Sequence, residues 1–340
     1  MTLVLVSGIN GFVAVKVLVS LLKHGYDIVG TVRSESKTAF LRNKFKDAVD
    51  SGKLKFAIVA DITAAGAFDE VLKQYQFDFV LHTSSPFHFN VKDVEKELLD
   101  PAIKGTKSIL ESIEKVAPSV KHVVITSSFA AVGNFRTGAA PGYVYTEDDW
   151  CPAEWDEAIA SPYVGYLASK TWAERAAWDF VKDRKPRFTL TTLLPSMVFG
   201  PPEQEVDSMA KLNQSSSDIY NLFNGTAGPV FGIWAWTDSR DLAEAHVLAI
   251  EKPEAKGQRY LIINGKHSPQ YFANYIWKHY PDRAAEKSVT KPTDKLYPDG
   301  GVYDVDNSKS IRDLGITYRG LDTMMRDTLK RFEELEAEGK

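Results

Sequence analysis

LVLVSGINGFVA, residues Leu3–Ala14, is the stretch that decides the fold of this chain. A short apolar run gives way there, at a glycine turn, to the helical-looking segment Phe12–His24. Such a junction directs the backbone N–H groups at the start of a helix toward the phosphates of a dinucleotide. Gly8 supplies the tight turn, Gly11 removes a Cβ from the phosphate path, and Ala14 lets helix and strand pack closely. We therefore predict a dinucleotide site that contains Gly8, Asn10, Gly11, Phe12 and Val13.

The segments around this turn alternate between short apolar runs and longer charged stretches with helical periodicity. Apolar runs bounded by turns are typical of strands that are buried on both faces. The predicted strands are Leu3–Ser7, Asp27–Arg33, Leu54–Val59, Phe79–Thr83, Val120–Ser127 and Phe188–Leu194. The predicted helices are Phe12–His24, Lys37–Val49, Phe68–Gln74, Val91–Val116 and Tyr163–Lys182. This alternation predicts an α/β fold with a Rossmann-type, doubly wound parallel sheet.

The end of the second strand indicates which dinucleotide binds. In folds that prefer NAD, this strand usually ends in an acidic residue that accepts hydrogen bonds from the ribose 2′-hydroxyl. Here it ends in Arg33, with Lys37 shortly after, and a guanidinium can hold a 2′-phosphate with two hydrogen bonds. The pattern favours NADPH/NADP+, although two solvated surface cations are the common alternative. Asp61 and Ile62 follow the third strand, where Asp61 would contact the adenine ring or cap a helix.

The character of the sequence changes near Pro195. The polar run Asn213–Asp218 and the stretch from Gly225 to Gly232 are rich in loop residues. We predict that residues 1–195 form the NADP-binding Rossmann domain and residues 196–340 a smaller, mixed substrate-binding region. A predicted helix over Arg240–Glu251 and a predicted strand over Arg259–Asn264, near residues 238–264, are expected to return to the first sheet. Asp238 is expected to cap that helix.

Tyr166 and Lys170 are spaced for acid–base chemistry. On a helix, residues four apart share one face, so phenol and ammonium would enter the same space. A phenol has an ordinary pKa near 10, which a nearby ammonium and a positively charged nicotinamide ring would lower. The phenol can then donate a proton to a carbonyl oxygen as hydride reaches the carbon, or act in reverse for alcohol oxidation. Among fourteen tyrosines, about one such pair is expected by chance, so the spacing alone is weak.

Ser128 strengthens this interpretation. It follows the fifth predicted strand, at the edge where open α/β sheets bind ligands, and its hydroxyl would polarise the substrate oxygen. Serine at a strand end is also a common turn former. The glycine turn, the serine and the Tyr/Lys helix nevertheless occur in the right order, and each lies on the element that the chemistry requires. Together they predict Ser128, Tyr166 and Lys170 as the catalytic residues.

These motifs resemble the landmarks of the extended short-chain dehydrogenase/reductases. The matching stretches are Gly8–Ala14, Thr31–Arg33, His82–Pro86, Thr126–Ser128, Tyr166–Lys170 and Leu194–Pro201. The sequence is most similar to fungal NADPH-dependent aldehyde/ketone and methylglyoxal reductases, which are similar to plant dihydroflavonol reductases. The resemblance implies that Lys170 also holds the nicotinamide ribose. It also implies that the cofactor is lined by Thr83, Ser84 and Ser85 and that the nicotinamide carboxamide is flanked by Pro195 and Val198.

The chain departs from the family pattern in the glycine-turn region and in the strand beside it. The family often has Ala where this chain has Ser84, and Thr where it has Ser7. Val15-Lys16-Val17 is unlike the polar-His pattern that is usual there. These departures lie close to the predicted cofactor site.

The substrate side is less defined by sequence. Aromatic and small residues together would suit an apolar group beside the carbonyl, although each would equally suit core packing. The candidates are Phe87, Phe129, Val132, Val164, Ser196 and Trp236. We expect a small-molecule carbonyl compound as the substrate.

Composition excludes several other classes of function. A net charge of −4 gives no electrostatic reason to expect nucleic acid or an anionic membrane as a partner. The single Cys151 and the spacing of the seven histidines predict no metal site, and no Gly-x-Ser-x-Gly motif indicates a hydrolase. No leader sequence or long apolar span is evident, so we expect a cytoplasmic protein. A homodimer stays open.

Two alternatives remain from the sequence. The same Tyr/Lys architecture serves NAD-dependent nucleotide-sugar epimerases and dehydratases, which oxidise and re-reduce one substrate on tightly held NAD. Arg33 argues against that class. A non-catalytic, NADP-sensing regulator would keep the fold without turnover, but such proteins commonly lack the Tyr/Lys pair.

Overall fold

The computed structural model describes residues 2–85, 91–226 and 232–340. Its strands are β1 Leu3–Ser7, β2 Asp27–Val32, β3 Leu54–Ile58, β4 Phe79–His82, β5 His122–Thr126, β6 Val144–Tyr145, β7 Thr189–Pro195, β8 Met197–Phe199, β9 Ala235–Asp238, β10 Gln258–Ile262, β11 Gly265–Lys266 and β12 Asp304–Val305. The principal sheet is parallel, with seven strands in the order β3-β2-β1-β4-β5-β7-β10. The chain runs outward from β1 to β3 and then crosses to β4, which confirms the predicted doubly wound α/β fold. The order reverses between β1 and β4, which is where such sheets bind ligands.

Some of the helices cover the two faces of this sheet, and others pack in a separate core with the strands that follow β7. In chain order, the helices are α1 Phe12–Lys23, α2 Ala39–Lys44, α3 Lys46–Asp50, α4 Asp69–Gln74, α5 Asp100–Val116, α6 Trp155–Ala160, α7 Pro162–Arg184, α8 Gln214–Phe223, α9 Ser239–Glu251, α10 Pro269–His279, α11 Pro281–Glu286, α12 Ser308–Leu314 and α13 Leu321–Ala337. None of the helices in the described part of the chain is long and apolar enough to cross a membrane.

Strand β1 shows why the apolar runs form buried strands. Val4 and Val6 pack with side chains of α1 and α9 on one face, whereas Leu5 packs with α4, α5 and α7 on the other. All three side chains are fully buried. Successive residues of a strand point to opposite faces, so an unbroken apolar run fits a sheet that is covered on both sides. Each such side chain contributes roughly 1.5–3 kcal/mol of burial free energy.

Two predicted helices differ from the structure. The segment predicted as one helix over Lys37–Val49 is divided, because Phe45 leaves helical geometry (φ −113°, ψ 36°) and packs against the α1–α9 core. The segment Val91–Val116 becomes regular α-helix only at Asp100, with Pro101 in the first turn, after a π-helical turn. Proline is tolerated in a first turn because its missing N–H would have no helical partner there.

The polar run Asn213–Asp218 was expected to be a loop, and that expectation is wrong. Its residues from Gln214 onward form the first half of α8. The second half of α8 places Ile219, Leu222 and Phe223 in a core with α10 and α13. Tertiary burial of that apolar face therefore overrides the loop-like composition of its first turn.

The region after β7 builds a smaller sheet and also contributes to the first one. Strands β11, β9 and β8 form a three-stranded mixed sheet, and β6 pairs with β12. Strand β10 pairs with β7 in the principal sheet, and α9 packs in the same core as α1. The Asp238 carboxylate accepts a hydrogen bond from Arg240 N at 2.8 Å, which confirms it as the cap of α9. A functional boundary at residue 195 stays a prediction.

Candidate active site

The carboxyl ends of the central strands open into a cavity of about 760 Å³. From the glycine turn and α1, its described lining includes Gly8, Gly11, Phe12, Val13 and Ala14. From the ends of β4 and β5 and from α7, it includes Thr83, Ser85, Ser128, Tyr166 and Lys170. Pro195, Ser196 and Val198 complete the side near β7 and β8. The structure thus brings most of the sequence-predicted site into one space.

The glycine turn meets the steric requirements of a phosphate cradle. Gly8 has a φ of +65°, and a Cβ at this position would lie 2.9 Å from the Cβ of Ser84. Gly11 caps α1 without a side chain, so no capping group covers the first N–H groups of the helix. Those groups have no partner within a helix and carry its positive dipole end. The cradle therefore fits the pyrophosphate of a dinucleotide.

Two departures from the family pattern are in direct contact. The Ser84 hydroxyl donates to Ser7 Oγ at 2.8 Å, and Ser7 Oγ also accepts from Thr83 N and Ser84 N at 3.0 and 3.1 Å. The same hydroxyl lies 2.9 Å from His82 Nδ1. Burial lowers the pKa of His82 to about 4, so its ring is neutral at pH 7 and can accept the Ser7 proton. This network joins the ends of β1 and β4 under the cradle.

The three predicted catalytic side chains lie together. The Ser128 hydroxyl is hydrogen-bonded to the Tyr166 phenol and accepts from Ala130 N at 3.1 Å. Lys170 Nζ lies 5.9 Å from the centroid of the Tyr166 ring and donates to Ser85 Oγ at 3.0 Å. The four-residue spacing on α7 sets the phenol and the ammonium on one face, as the sequence predicts. The turn after β5 supplies Ser128 from the opposite side.

The electrostatics of Tyr166 differ from the sequence expectation. Burial raises the pKa of its phenol above 10, and the Ser128 hydrogen bond lowers it only in part. The sequence predicts that the Lys170 ammonium, assisted by a positively charged nicotinamide ring, lowers this pKa, whereas within the chain the cost of burying a phenolate dominates. Burial also lowers the pKa of Lys170 to about 8. At neutral pH the phenol therefore carries its proton, as a group that donates to a developing alkoxide must.

Several predicted cofactor residues do not line this cavity. Arg33 is exposed at the end of β2, and Lys37 is exposed in the following turn. Asp61 Oδ1 accepts from Thr63 N at 2.8 Å and from Thr63 Oγ1 at 2.7 Å, which lowers the pKa of its carboxyl, and Arg33 adds to this lowering. Asp61 thus holds a turn and caps no helix, since α4 begins only at Asp69. The helix-cap alternative is therefore wrong, and a contact with the adenine ring stays a prediction. Ile62 packs beside α5. Asn10 and Ser84 are both half-buried, and neither lines the cavity.

The predicted substrate residues divide into two groups. Phe129 and Ser196 line the cavity. Val132 and Trp236 are core residues that are 1% and 2% exposed, and Val164 packs beside α6 and α7 away from the described lining. The structure therefore corrects their predicted position, because apolar residues near a site are divided between core and cavity only by the direction of their side chains. Phe87 lies outside the described residues.

Sequence reasoning missed other residues of the cavity wall. They are Asn134, Tyr145, Tyr163, Asn213, Gln214, Ser215, Ile233 and Tyr303. Tyr163 precedes Tyr166 by three residues on α7, so helical spacing could have found it. Tyr303 stacks on Phe129 with ring centroids 5.6 Å apart, a contact between distant parts of the chain that no local pattern reveals. In the described part of the chain, no group of three or more His, Cys, Asp or Glu residues is arranged to hold a metal ion.

Comparisons with known proteins agree with this architecture. The profile of the NAD dependent epimerase/dehydratase family matches residues 4–263. A ketoreductase of Aspergillus niger is 39% identical over 336 residues, which cover 97% of each chain. The NADPH-dependent methylglyoxal reductase of Saccharomyces cerevisiae is 34% identical over 342 residues, which cover 98% of each chain.

A solved structure extends the match to three dimensions. The crystal structure of yeast methylglyoxal/isovaleraldehyde reductase complexed with NADPH superimposes with a TM-score of 0.88 at 33% identity, covering 99% of each chain. This chain therefore belongs to the NAD dependent epimerase/dehydratase family, which confirms its predicted membership of the extended short-chain dehydrogenase/reductases.

Proposed function

We propose that this chain reduces an aldehyde or ketone to an alcohol with NADPH, and that Tyr166 is the proton donor. The observation that carries the proposal is the convergence of Tyr166, Ser128 and Lys170 in the cavity that the glycine turn also lines. The relatives named above, a ketoreductase and the yeast methylglyoxal reductase whose crystal structure contains NADPH, support the same chemistry.

Different residues of the chain would bind different parts of the cofactor. The N–H groups around Gly8–Val13 would bind the pyrophosphate, and Lys170 would donate to the nicotinamide ribose. Pro195 and Val198 would flank the carboxamide. Arg33 would hold the 2′-phosphate, with Lys37 adding positive charge. When bound, NADPH would supply the hydride for the carbonyl carbon and would itself be oxidised to NADP+.

Tyr166 would complete the reduction at the carbonyl oxygen. Its buried phenol is protonated at neutral pH, and its O–H can pass to the oxygen as negative charge develops there. Ser128 would donate its one hydroxyl proton in a hydrogen bond to the same oxygen. The carbon gains the hydride and the oxygen gains the proton, so the carbonyl becomes an alcohol. Lys170, protonated below a pKa of about 8, would stabilise the phenolate electrostatically.

The test follows absorbance at 340 nm with NADPH, then NADH, against a panel of aldehydes, aryl ketones and diketones. We expect turnover that prefers NADPH. Tyr166→Phe should reduce it by about 10²- to 10⁴-fold, the range for loss of a general acid. Tyr26→Phe is the matched control, because its phenol donates to Glu251 and does not line the cavity.

Other outcomes would contradict the proposal. If the protein binds NADPH but does not oxidise it in the presence of any carbonyl compound of the panel, the NADP-sensing regulator would be favoured. Protein that purifies with tightly held NAD would favour the nucleotide-sugar epimerase or dehydratase. Turnover that persists in Tyr166→Phe would assign the proton to another donor. A cytoplasmic location, a homodimer and the lack of a nucleic-acid partner stay predictions from the sequence.

A further inference from the structure

Glu174 continues the face of α7 that carries Tyr166 and Lys170. The three residues follow one another at four-residue spacing, so they lie on successive turns of one helix face. The Glu174 carboxylate is fully enclosed, and the residue is only 2% exposed. A buried carboxylate is costly unless every lone pair finds a donor, so its partners need explanation.

Four residues donate hydrogen bonds to this carboxylate. Ser127 Oγ donates to Oε2 at 2.6 Å, and Thr192 Oγ1 donates to Oε1 at 2.7 Å. Trp178 Nε1 donates to Oε1 at 3.2 Å. Arg259 donates from Nε to Oε1 at 2.7 Å and from Nη2 to Oε2 at 3.4 Å. One carboxylate thus joins α7 to the end of β5 and to strands β7 and β10.

The arginine partner is itself held in place. Its guanidinium carbon lies 3.6 Å from the Trp150 ring centroid, and Nη1 donates to the carbonyl oxygens of Asp149 and Glu147. The side chain is 11% exposed. The guanidinium pairs with Glu174 and stacks on the Trp150 indole. If it moved away, the Glu174 carboxylate would stay buried without its counter-charge. Both ends of the Arg259–Glu174 ion pair are therefore fixed by further contacts.

The network lies next to the proposed catalytic groups. Ser127 immediately precedes Ser128, and the Ser128–Tyr166 hydrogen bond spans the same gap, from the end of β5 to α7, that Glu174 and Ser127 bridge. A displacement of about 1 Å between reacting groups can cost about 100-fold in rate. We propose that Glu174 is a positioning residue which, through Ser127, fixes Ser128 against Tyr166 for proton transfer. This inference rests on the proposed carbonyl reduction.

A matched pair of variants tests the Ser127–Glu174 hydrogen bond while leaving the ion pair between Glu174 and Arg259 in place. Ser127→Ala removes the donor beside Ser128, whereas Thr192→Val removes an equivalent donor to the same carboxylate from β7, which carries no proposed catalytic hydroxyl. For each we would measure kcat, KM for NADPH, the thermal unfolding midpoint and the pH profile of alcohol oxidation. That profile reports Tyr166 acting as a base, since the Ser128 hydrogen bond favours its phenolate. Lys170 is retained in both variants.

We expect Ser127→Ala to lower kcat by about three- to tenfold, the equivalent of one hydrogen bond, with KM for NADPH unchanged. The midpoint of its oxidation profile should rise by about 0.5–1 pH unit. Thr192→Val should keep kcat and the midpoint near wild type. Equal losses of kcat in the two variants, or a loss in Ser127→Ala with an unmoved midpoint, would overturn the positioning role. Wild-type protein that turns over no carbonyl would instead overturn the proposed function.

Discussion

At the scale of single residues, the environment decides what a side chain can do. Tyr166 and Tyr26 are both tyrosines, yet only Tyr166 lies beside Ser128 in the cavity, where burial keeps its proton in place at neutral pH. Arg33 shows the opposite case. Its guanidinium is exposed at the end of β2 and gains its proposed role only from a ligand phosphate. An exposed guanidinium pays little desolvation and remains free to form two hydrogen bonds to that phosphate.

The first prediction concerns this arginine. Arg33→Ala should raise KM for NADPH by roughly 10- to 100-fold, because charge-assisted hydrogen bonds contribute about 1.5–3 kcal/mol. KM for NADH should change little, since NADH has no 2′-phosphate. Steady-state kinetics with both cofactors measures the ratio. Arg312→Ala, at an exposed arginine that pairs with Asp313, serves as the control. Equal losses with NADPH and NADH would show that Arg33 does not select the 2′-phosphate.

At the scale of elements, the unusual Lys16 of α1 has a structural explanation. It is 3% exposed and forms an ion pair with Glu203, in the loop after β8. Lys44 of α2 approaches the same glutamate at 3.5 Å and donates to its backbone carbonyl at 2.8 Å. Burial lowers the pKa of Lys16, while Glu203 opposes that lowering. One glutamate thus ties the loop to α1 and α2.

The second prediction compares the two ends of this ion pair. Glu203→Gln should destabilise the fold by roughly 2 kcal/mol, because it leaves the Lys16 ammonium buried and unpaired. The estimate is modest because the Glu203 side chain is 33% exposed and therefore screened by water. Lys16→Met removes the buried charge and should cost less. Chemical denaturation of both variants and of the double variant measures this. The prediction would be contradicted if the free energy of unfolding of Glu203→Gln were equal to or larger than that of Lys16→Met.

At the scale of the whole molecule, buried histidines couple stability to pH. Burial lowers the pKa to about 4 for His82, His122 and His246 and to about 3 for His267. In the unfolded chain each would titrate near 6.5. Between these values the unfolded state binds more protons than the folded state, so stability rises with pH. The contribution is fully present above about pH 6.5 and is lost progressively toward pH 4.

The third prediction follows from that sign. The free energy of unfolding should fall by about 1 kcal/mol per buried histidine between pH 7.5 and 5.5. Urea denaturation across this range measures the slope. His246→Gln keeps a side chain able to bond Thr126, whose Oγ1 lies 2.7 Å from His246 Nε2, and should make the slope shallower. His279→Gln, at an exposed histidine, should leave the slope unchanged. A slope that is identical in all three proteins would contradict the assignment.

The sequence by itself determined the alternation of strands and helices, the glycine turn, and the placement of the serine, tyrosine and lysine that we propose as catalytic. These follow from local periodicity and from rules about strand ends and helix faces, which act over a few residues. It could not decide that Trp236 points into the core, that Asn213–Asp218 opens a helix, or that Tyr303 completes the cavity. It also gave the wrong direction for the pKa of Tyr166 within the chain.

Only the tertiary structure decided those points, for one physical reason. Which side chains are desolvated, and which donors meet a buried carboxylate such as Glu174, depends on contacts between elements that are far apart in sequence. Such contacts join Ser127 after β5, Thr192 of β7 and Arg259 of β10 to one helix. Burial and long-range packing, rather than local pattern, set the electrostatics and the precision of this site.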